Sequence, residues 1–100
     1  MIVEHVFLPV RVDDREDFIA AFRKARQYIE WAPGFRQIDL NIPLESDGPL
    51  LLLVQWETVS HHRQGFRTSA AYQEWRRLLH PFYPAIPAVS YFLKVDDEPR

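Results

Sequence analysis

The chain contains no cysteine, which removes thiolate nucleophiles, thiolate metal sites and disulfides together. Chemistry is therefore left to oxygen, nitrogen and aromatic groups. These concentrate in the second half of the sequence, at Trp56, His62, Phe66, Arg67, Tyr72, Trp75, His80, Phe82 and Tyr83. An aromatic lining with a few convergent polar tips is what a small hydrophobic ligand needs. An imidazole supplies a base, and a guanidinium or phenol supplies a partner for a developing oxyanion. His80 serves equally as a cap on helix-terminal carbonyls or as a pocket acid or base. Arg67 either bridges a carboxylate such as Glu57 or Glu74, or holds a phenolate or enolate. Trp75 and Phe82 also read as core, because aromatics at helical spacing generally pack, and Trp56 has the same core reading. His61 reads as solvated.

Several other chemistries are excluded by pattern. There is no GxSxG, no HExxH and no glycine-rich phosphate loop, since Gly34, Gly48 and Gly65 are the only glycines. The adjacent pair His61 and His62 points two ways on a helix, so it cannot chelate one ion. A metal site would need His5, His62, His80 or Glu4 to converge from distant segments, and none is expected. Twelve basic against fourteen acidic residues give a net charge of −2, with no basic surplus to meet a phosphate backbone or an anionic lipid surface. Nucleic acid and membrane are thus not expected as partners. The longest apolar runs, Phe18 to Phe22 and Leu50 to Val54, are far below the roughly 20 residues of a spanning helix. The expectation is a soluble, unprocessed cytoplasmic protein.

The elements that must position these groups follow from periodicity. Residues 2 to 10 are rich in β-branched and aromatic side chains and read as a strand, with Pro9 tolerable only near its end. Asp13 to Glu16 offers a capping box. A helix then carries the stripe Phe18, Phe22, Ala25 and Ile29 to a stop at Pro33-Gly34. Residues 35 to 44 partly alternate, residues 45 to 49 supply turn formers, and residues 50 to 57 form a strand. Ser60 can cap a short helix ending at Gly65. Thr68 or Ser69 can cap the next, whose apolar residues are Ala71, Trp75, Leu78, Leu79 and Phe82. Pro81 should end it near His80. A last strand spans residues 88 to 95, before a loose polar tail, residues 96–100. The order βαββαβ predicts a single α+β domain over residues 1–95, ferredoxin-like with an antiparallel sheet. Leu50 to Val54 is apolar on both parities, so both sheet faces require burial. Two helical regions cover one face only, and a second copy is expected to cover the other as a two-fold homodimer.

The second half resembles one family specifically. Leu51 to Glu57, then His62, Gly65-Phe-Arg-x-Ser69, Tyr72-Gln-Glu-Trp75 and Leu78-Leu-His-x-Phe-Tyr83 are similar to a "VxWE…H…GFRxS…YxxW…LLHxFY" signature. That signature marks a bacterial subgroup of the antibiotic biosynthesis monooxygenase (ABM) domain. The likeness extends to Glu4 and the Pro33-Gly34 turn. It implies a dimeric α+β barrel. In its quinone-forming members an electron-rich phenol is deprotonated and itself reacts with oxygen, without metal or flavin. The implied activity is a cofactor-independent monooxygenase acting on a phenolic or polycyclic aromatic molecule. His62 or His80 would be the base, Arg67 or Tyr83 the oxyanion partner, and Trp56, Phe66, Trp75 and Phe82 the walls, with Tyr72 beside them. The quinone-forming and haem-degrading branches rely on a pocket asparagine, and the one asparagine here is Asn41. The Trp and His of the haem-degrading branch fall at Phe66 and Arg76, so haem degradation fits less well. The alternative is a dimer that binds a small hydrophobic ligand without turnover.

Overall fold

The computed structural model describes residues 1–97. Along the chain lie β1 (Ile2–Leu8), α1 (Arg15–Glu30), β2 (Phe35–Asn41), β3 (Leu50–Trp56), a π-helical segment (His61–Phe66), α2 (Ala70–Leu79) and β4 (Val89–Leu93). All strand pairings are antiparallel, in the order β2-β3-β1-β4. This is the expected ferredoxin-like α+β arrangement. The central strand β1 has neighbours on both sides, so every N–H in it is needed for a ladder. Pro9 has none to give, and the strand ends at Leu8.

Strand alternation decides what each sheet face can do. Glu4, Val6 and Leu8 of β1, Leu50, Leu52, Val54 and Trp56 of β3, and Ile38 of β2 are all buried on the face beneath the helices. The other face carries Val3, His5 and Phe7, opposite Gln55, Leu53 and Leu51, and it is open enough to leave Phe7 54% and Phe92 55% exposed. The helical layer docks by the predicted stripe: Phe18, Phe22, Ala25 and Ile29 are the buried residues of α1. Phe22 meets Trp75 of α2 edge to face, with ring centroids 6.1 Å apart.

The helix starts correct two expectations and bear out a third. Asp14 precedes α1 in a near-helical conformation (φ −99°, ψ −1°) without a side-chain cap bond, because a capping side chain needs extended backbone to fold back. A 3-10 turn, Val12–Asp14, takes the place of the capping box. Ser60 is likewise already helical and caps nothing; Thr58 does so, its Oγ1 accepting the His61 N–H at 3.2 Å. Ser69 is extended and accepts from the Tyr72 N–H at 3.2 Å. At the other end of the molecule β4 stops at Leu93, and Val95–Asp97 forms a 3-10 turn. Of the expected loose tail, residues 98–100 lie outside the described residues.

Candidate functional site

Between the helical face of the sheet and α2 lies a cavity of about 50 Å³. Its floor is Glu4, Val6 and Leu8 of β1 with Leu52 of β3. The π-helical segment closes one end with His62 and Phe66, and Arg67 follows directly. Tyr72 and Trp75 enter from α2, and His80 and Tyr83 from the turn after it. Ile86 and Pro87 span the remaining side before Val89 of β4. His62, Arg67, His80, Phe66, Tyr72, Trp75 and Tyr83, picked out by residue type, therefore share one space. Trp56 and Phe82 are not in its walls. Phe82 packs edge-on against Phe18, with centroids 5.4 Å apart, and Trp56 is sealed at 0% exposure.

The π-helical turn explains how His62 and Arg67 converge. The Arg67 N–H reaches back to the His62 carbonyl at 3.1 Å, an i to i+5 bond that widens the turn. Phe66 and Arg67 consequently lie beside His62 along one wall. The neighbour His61 faces the other way, as expected for adjacent helical residues. It is half-buried against Gly34, and its Nδ1 lies 2.8 Å from Thr58 Oγ1.

Glu4 is the group that residue-type reasoning weighed only as a distant metal ligand. It is 4% exposed, and its Oε1 accepts the Trp56 indole N–H at 2.9 Å. His62 Nε2 stands 3.5 Å from the same oxygen, and His62 Nδ1 lies 2.6 Å from the Tyr91 hydroxyl. Burial pushes the Glu4 carboxyl up to about 7, against the Trp56 hydrogen bond and the Arg67 charge. Burial, with the charges of Arg67 and Arg63, pushes His62 down to about 4. Between about pH 4 and 7 the pair is thus a neutral acid beside a neutral imidazole rather than an ion pair, because burial penalises each charge. No protein donor reaches the second Glu4 oxygen among the described residues. Nor is that oxygen sealed: Arg15 Nε is the one enclosed, unpartnered side-chain nitrogen or oxygen among them. The available signal was parity, since Glu4 is the single charged residue in phase with Val6 and Leu8.

Arg67 bridges neither carboxylate considered for it. Glu57 pairs with Arg36 and Glu74 with Arg77, and among the described residues no carboxylate lies within ion-pair distance of Arg67. Its charge instead acts on the cavity groups, Glu4, His62 and His80 among them. His80 sits edge-on to Tyr72 and tilted against Tyr83, with centroids 6.2 Å and 5.6 Å away. Its side chain makes no hydrogen bond among the described residues, whereas its backbone N–H caps α2 through the Arg76 carbonyl. Burial, then Arg76 and Arg67, lowers its pKa. Burial, then Tyr72, raises that of Tyr83.

His5, one residue from Glu4, occupies the opposite sheet face between Phe7 and Phe92, with centroids 4.8 Å and 5.4 Å distant. Asn41 is also on that face, where its Nδ2 donates to the Leu51 carbonyl at 3.2 Å. Neither reaches the cavity. No helix among the described residues is long and apolar enough to cross a membrane.

Fold and site together define a ferredoxin-like domain with an aromatic, arginine-bearing cavity beneath its helices. The antibiotic biosynthesis monooxygenase family model matches residues 1–78, and the chain belongs to that family. It is 39% identical over 95 residues to YczJ of Bacillus subtilis, covering 95% of this chain and all of that one. An antibiotic biosynthesis monooxygenase structure from Bordetella bronchiseptica superposes with a TM-score of 0.88 at 34% identity, over 94% of this chain and 96% of the other. The haem degrader MhuD of Mycobacterium tuberculosis shares the fold at 16% identity and a TM-score of 0.72, over 95% and 96% of the two chains.

Proposed function

We propose that the protein is a homodimeric, cofactor-independent monooxygenase that oxidises a small phenolic molecule in the cavity under α2. The observation that carries this reading is Arg67: a guanidinium with no carboxylate at ion-pair distance among the described residues, opening on an aromatic cavity. A cation so placed favours the phenolate over the phenol, and the electron-rich anion is the form that reacts with oxygen. His80 is the base, its ring unbonded among the described residues and held neutral by burial and by two arginines. His62 stands in the wall with Nδ1 engaged by Tyr91, which leaves it less free to accept a substrate proton.

Size narrows the substrate. A cavity of about 50 Å³ has room for roughly four waters, close to the volume of one ring. A single-ring phenol or hydroquinone fits that space; a polycyclic system or a haem requires Ile86 and Pro87 to move aside. The test is oxygen uptake by metal-free protein with a panel of single-ring phenols and hydroquinones. Arg67→Gln is expected to lower the rate about 100-fold, as for loss of an oxyanion donor. Absence of protein-dependent uptake across the panel overturns the reading.

One observation favours a binding protein without turnover: the only asparagine lies on the far face of the sheet, so no asparagine amide enters the cavity. Native mass spectrometry of protein purified from its own host separates the two. An unchanged co-purifying ligand supports binding alone.

A further inference from the structure

We propose that Glu4 is a second catalytic group of this cavity, the general acid that supplies a proton to reduced oxygen. The inference rests on the oxygenase reading above and adds to it a group on the opposite wall from His80. Glu4 enters the cavity from an otherwise apolar floor of Val6, Leu8 and Leu52. Oxygen is itself apolar and collects at such a surface. Trp56 Nε1 fixes Oε1 at 2.9 Å, and the second oxygen is neither bonded within the described residues nor enclosed. A glutamine would keep the indole bond through its carbonyl and avoid the desolvation of a carboxylate. What the carboxyl offers beyond structure is a transferable proton. Groups whose environments push their pKa values apart divide acid and base roles: burial holds Glu4 protonated up to about pH 7 and His80 in its basic form.

The proton balance closes with these two residues. His80 takes the phenolic proton, and a C–O bond forms between the para carbon of the phenolate and oxygen, leaving a peroxide anion. Glu4 protonates the terminal peroxide oxygen. The resulting carboxylate removes the remaining para C–H proton as the O–O bond breaks and the C=O bond forms. The departing hydroxide takes the proton from His80. Phenol and oxygen have become a quinone and water, the phenol is oxidised by four electrons and oxygen reduced by four, and both residues return to their starting forms.

Among the described residues, the groups facing Glu4 are His62 and Arg67 from the π-helical side, Tyr91 from β4, and Tyr72, His80 and Tyr83 across the cavity. Tyr83 and Tyr91 remain neutral near pH 7, because burial raises both. His62 is neutral from about pH 4 upward. Loss of activity above about pH 7 therefore reports on Glu4. The experiment compares the pH dependence of oxygen uptake in wild type and Glu4→Gln, with 4-chlorophenol binding as the measure of an intact cavity, and follows wild-type glutamate carboxyls by ¹³C NMR. The expected result is a rate lowered about 100-fold, binding retained, the alkaline fall absent from the variant, and a carboxyl titrating at the pH of that fall. A variant with wild-type rate or an unchanged alkaline fall overturns the assignment to Glu4 and leaves the oxygenase reading standing. Absence of uptake by wild type overturns both. Should Glu4→Gln not fold, a carboxyl set that titrates wholly in the ordinary range overturns the assignment on wild type alone.

Discussion

A carboxyl in an apolar floor is the most consequential single residue in this molecule, because its protonation is coupled to folding. In the unfolded chain Glu4 ionises near 4.5, and in the folded protein near 7. The folded state therefore binds one more proton at this residue between those values, and stability falls as pH rises through that window. His62 has the opposite sign. It is protonated in the unfolded chain below about 6.5 and neutral in the folded protein down to about 4, so its contribution is lost as pH falls. The two slopes oppose each other between pH 4.5 and 6.5. Glu4→Gln removes one of them. Urea unfolding across that window should show the variant's stability climbing with pH more steeply than wild type, by about 1.4 kcal/mol per unit. Equal slopes would mean that Glu4 titrates normally. Sequence alternation placed Glu4 in phase with Val6 and Leu8, but its partners Trp56 and His62 are supplied by other elements, 52 and 58 positions along the chain. A pairing at that separation leaves no local trace. Arg67 is the converse case: its residue type suggested an ion pair or an oxyanion holder, and only the claims of Arg36 and Arg77 on Glu57 and Glu74 decide which option is open.

At the scale of elements, periodicity carried the strands and α1 because each has a regular repeat and one buried face. All four residues of the predicted stripe in α1 are its buried residues. The π-helical segment was not legible as such. Its residues His61 to Phe66 suit any helical turn, and the i to i+5 bond to His62 is imposed by what the turn packs on. Gly34 is part of that packing. It adopts φ +82°, and a Cβ there would come within 2.2 Å of the His61 ring. Its carbonyl also accepts the Glu57 N–H at 2.8 Å, tying the start of β2 to the end of β3. Gly34→Ala should consequently cost more than the ~1–2 kcal/mol of a left-handed residue alone, since His61 must shift as well. Denaturant titration measures the loss. Loss of the His62 to Arg67 geometry predicts a parallel fall in phenol affinity. A variant as stable as wild type would show that the close approach constrains nothing.

Among the described residues, one sheet face carries no helix. Phe7 and Phe92 are about half exposed there, with Leu51 and Leu53 between strands, and Val3 pairs across to Phe92 and Gln55. Four strands at ~4.8 Å spacing and about seven residues at ~3.4 Å give a face of roughly 19 by 24 Å. That area, about 460 Å² before side-chain relief, is over half of the ~800 Å² per partner of a standard interface. The occupant expected there is a second copy: Phe7, Phe92, Leu51 and Leu53 surround the single imidazole of His5, and β1 runs through the middle of the sheet, so a two-fold axis across it would bring like residues together. The cavity lies on the opposite side of the sheet, and its polar groups do not depend on this contact. Sedimentation at micromolar concentration should give a dimer for wild type. Phe7→Asp, which places a charge on the exposed patch without touching the helical core, should shift the protein to monomer while retaining the secondary structure. A wild-type monomer at that concentration would remove the second copy from the description, and the apolar face would then need a different partner to account for the two-sided apolarity of β3.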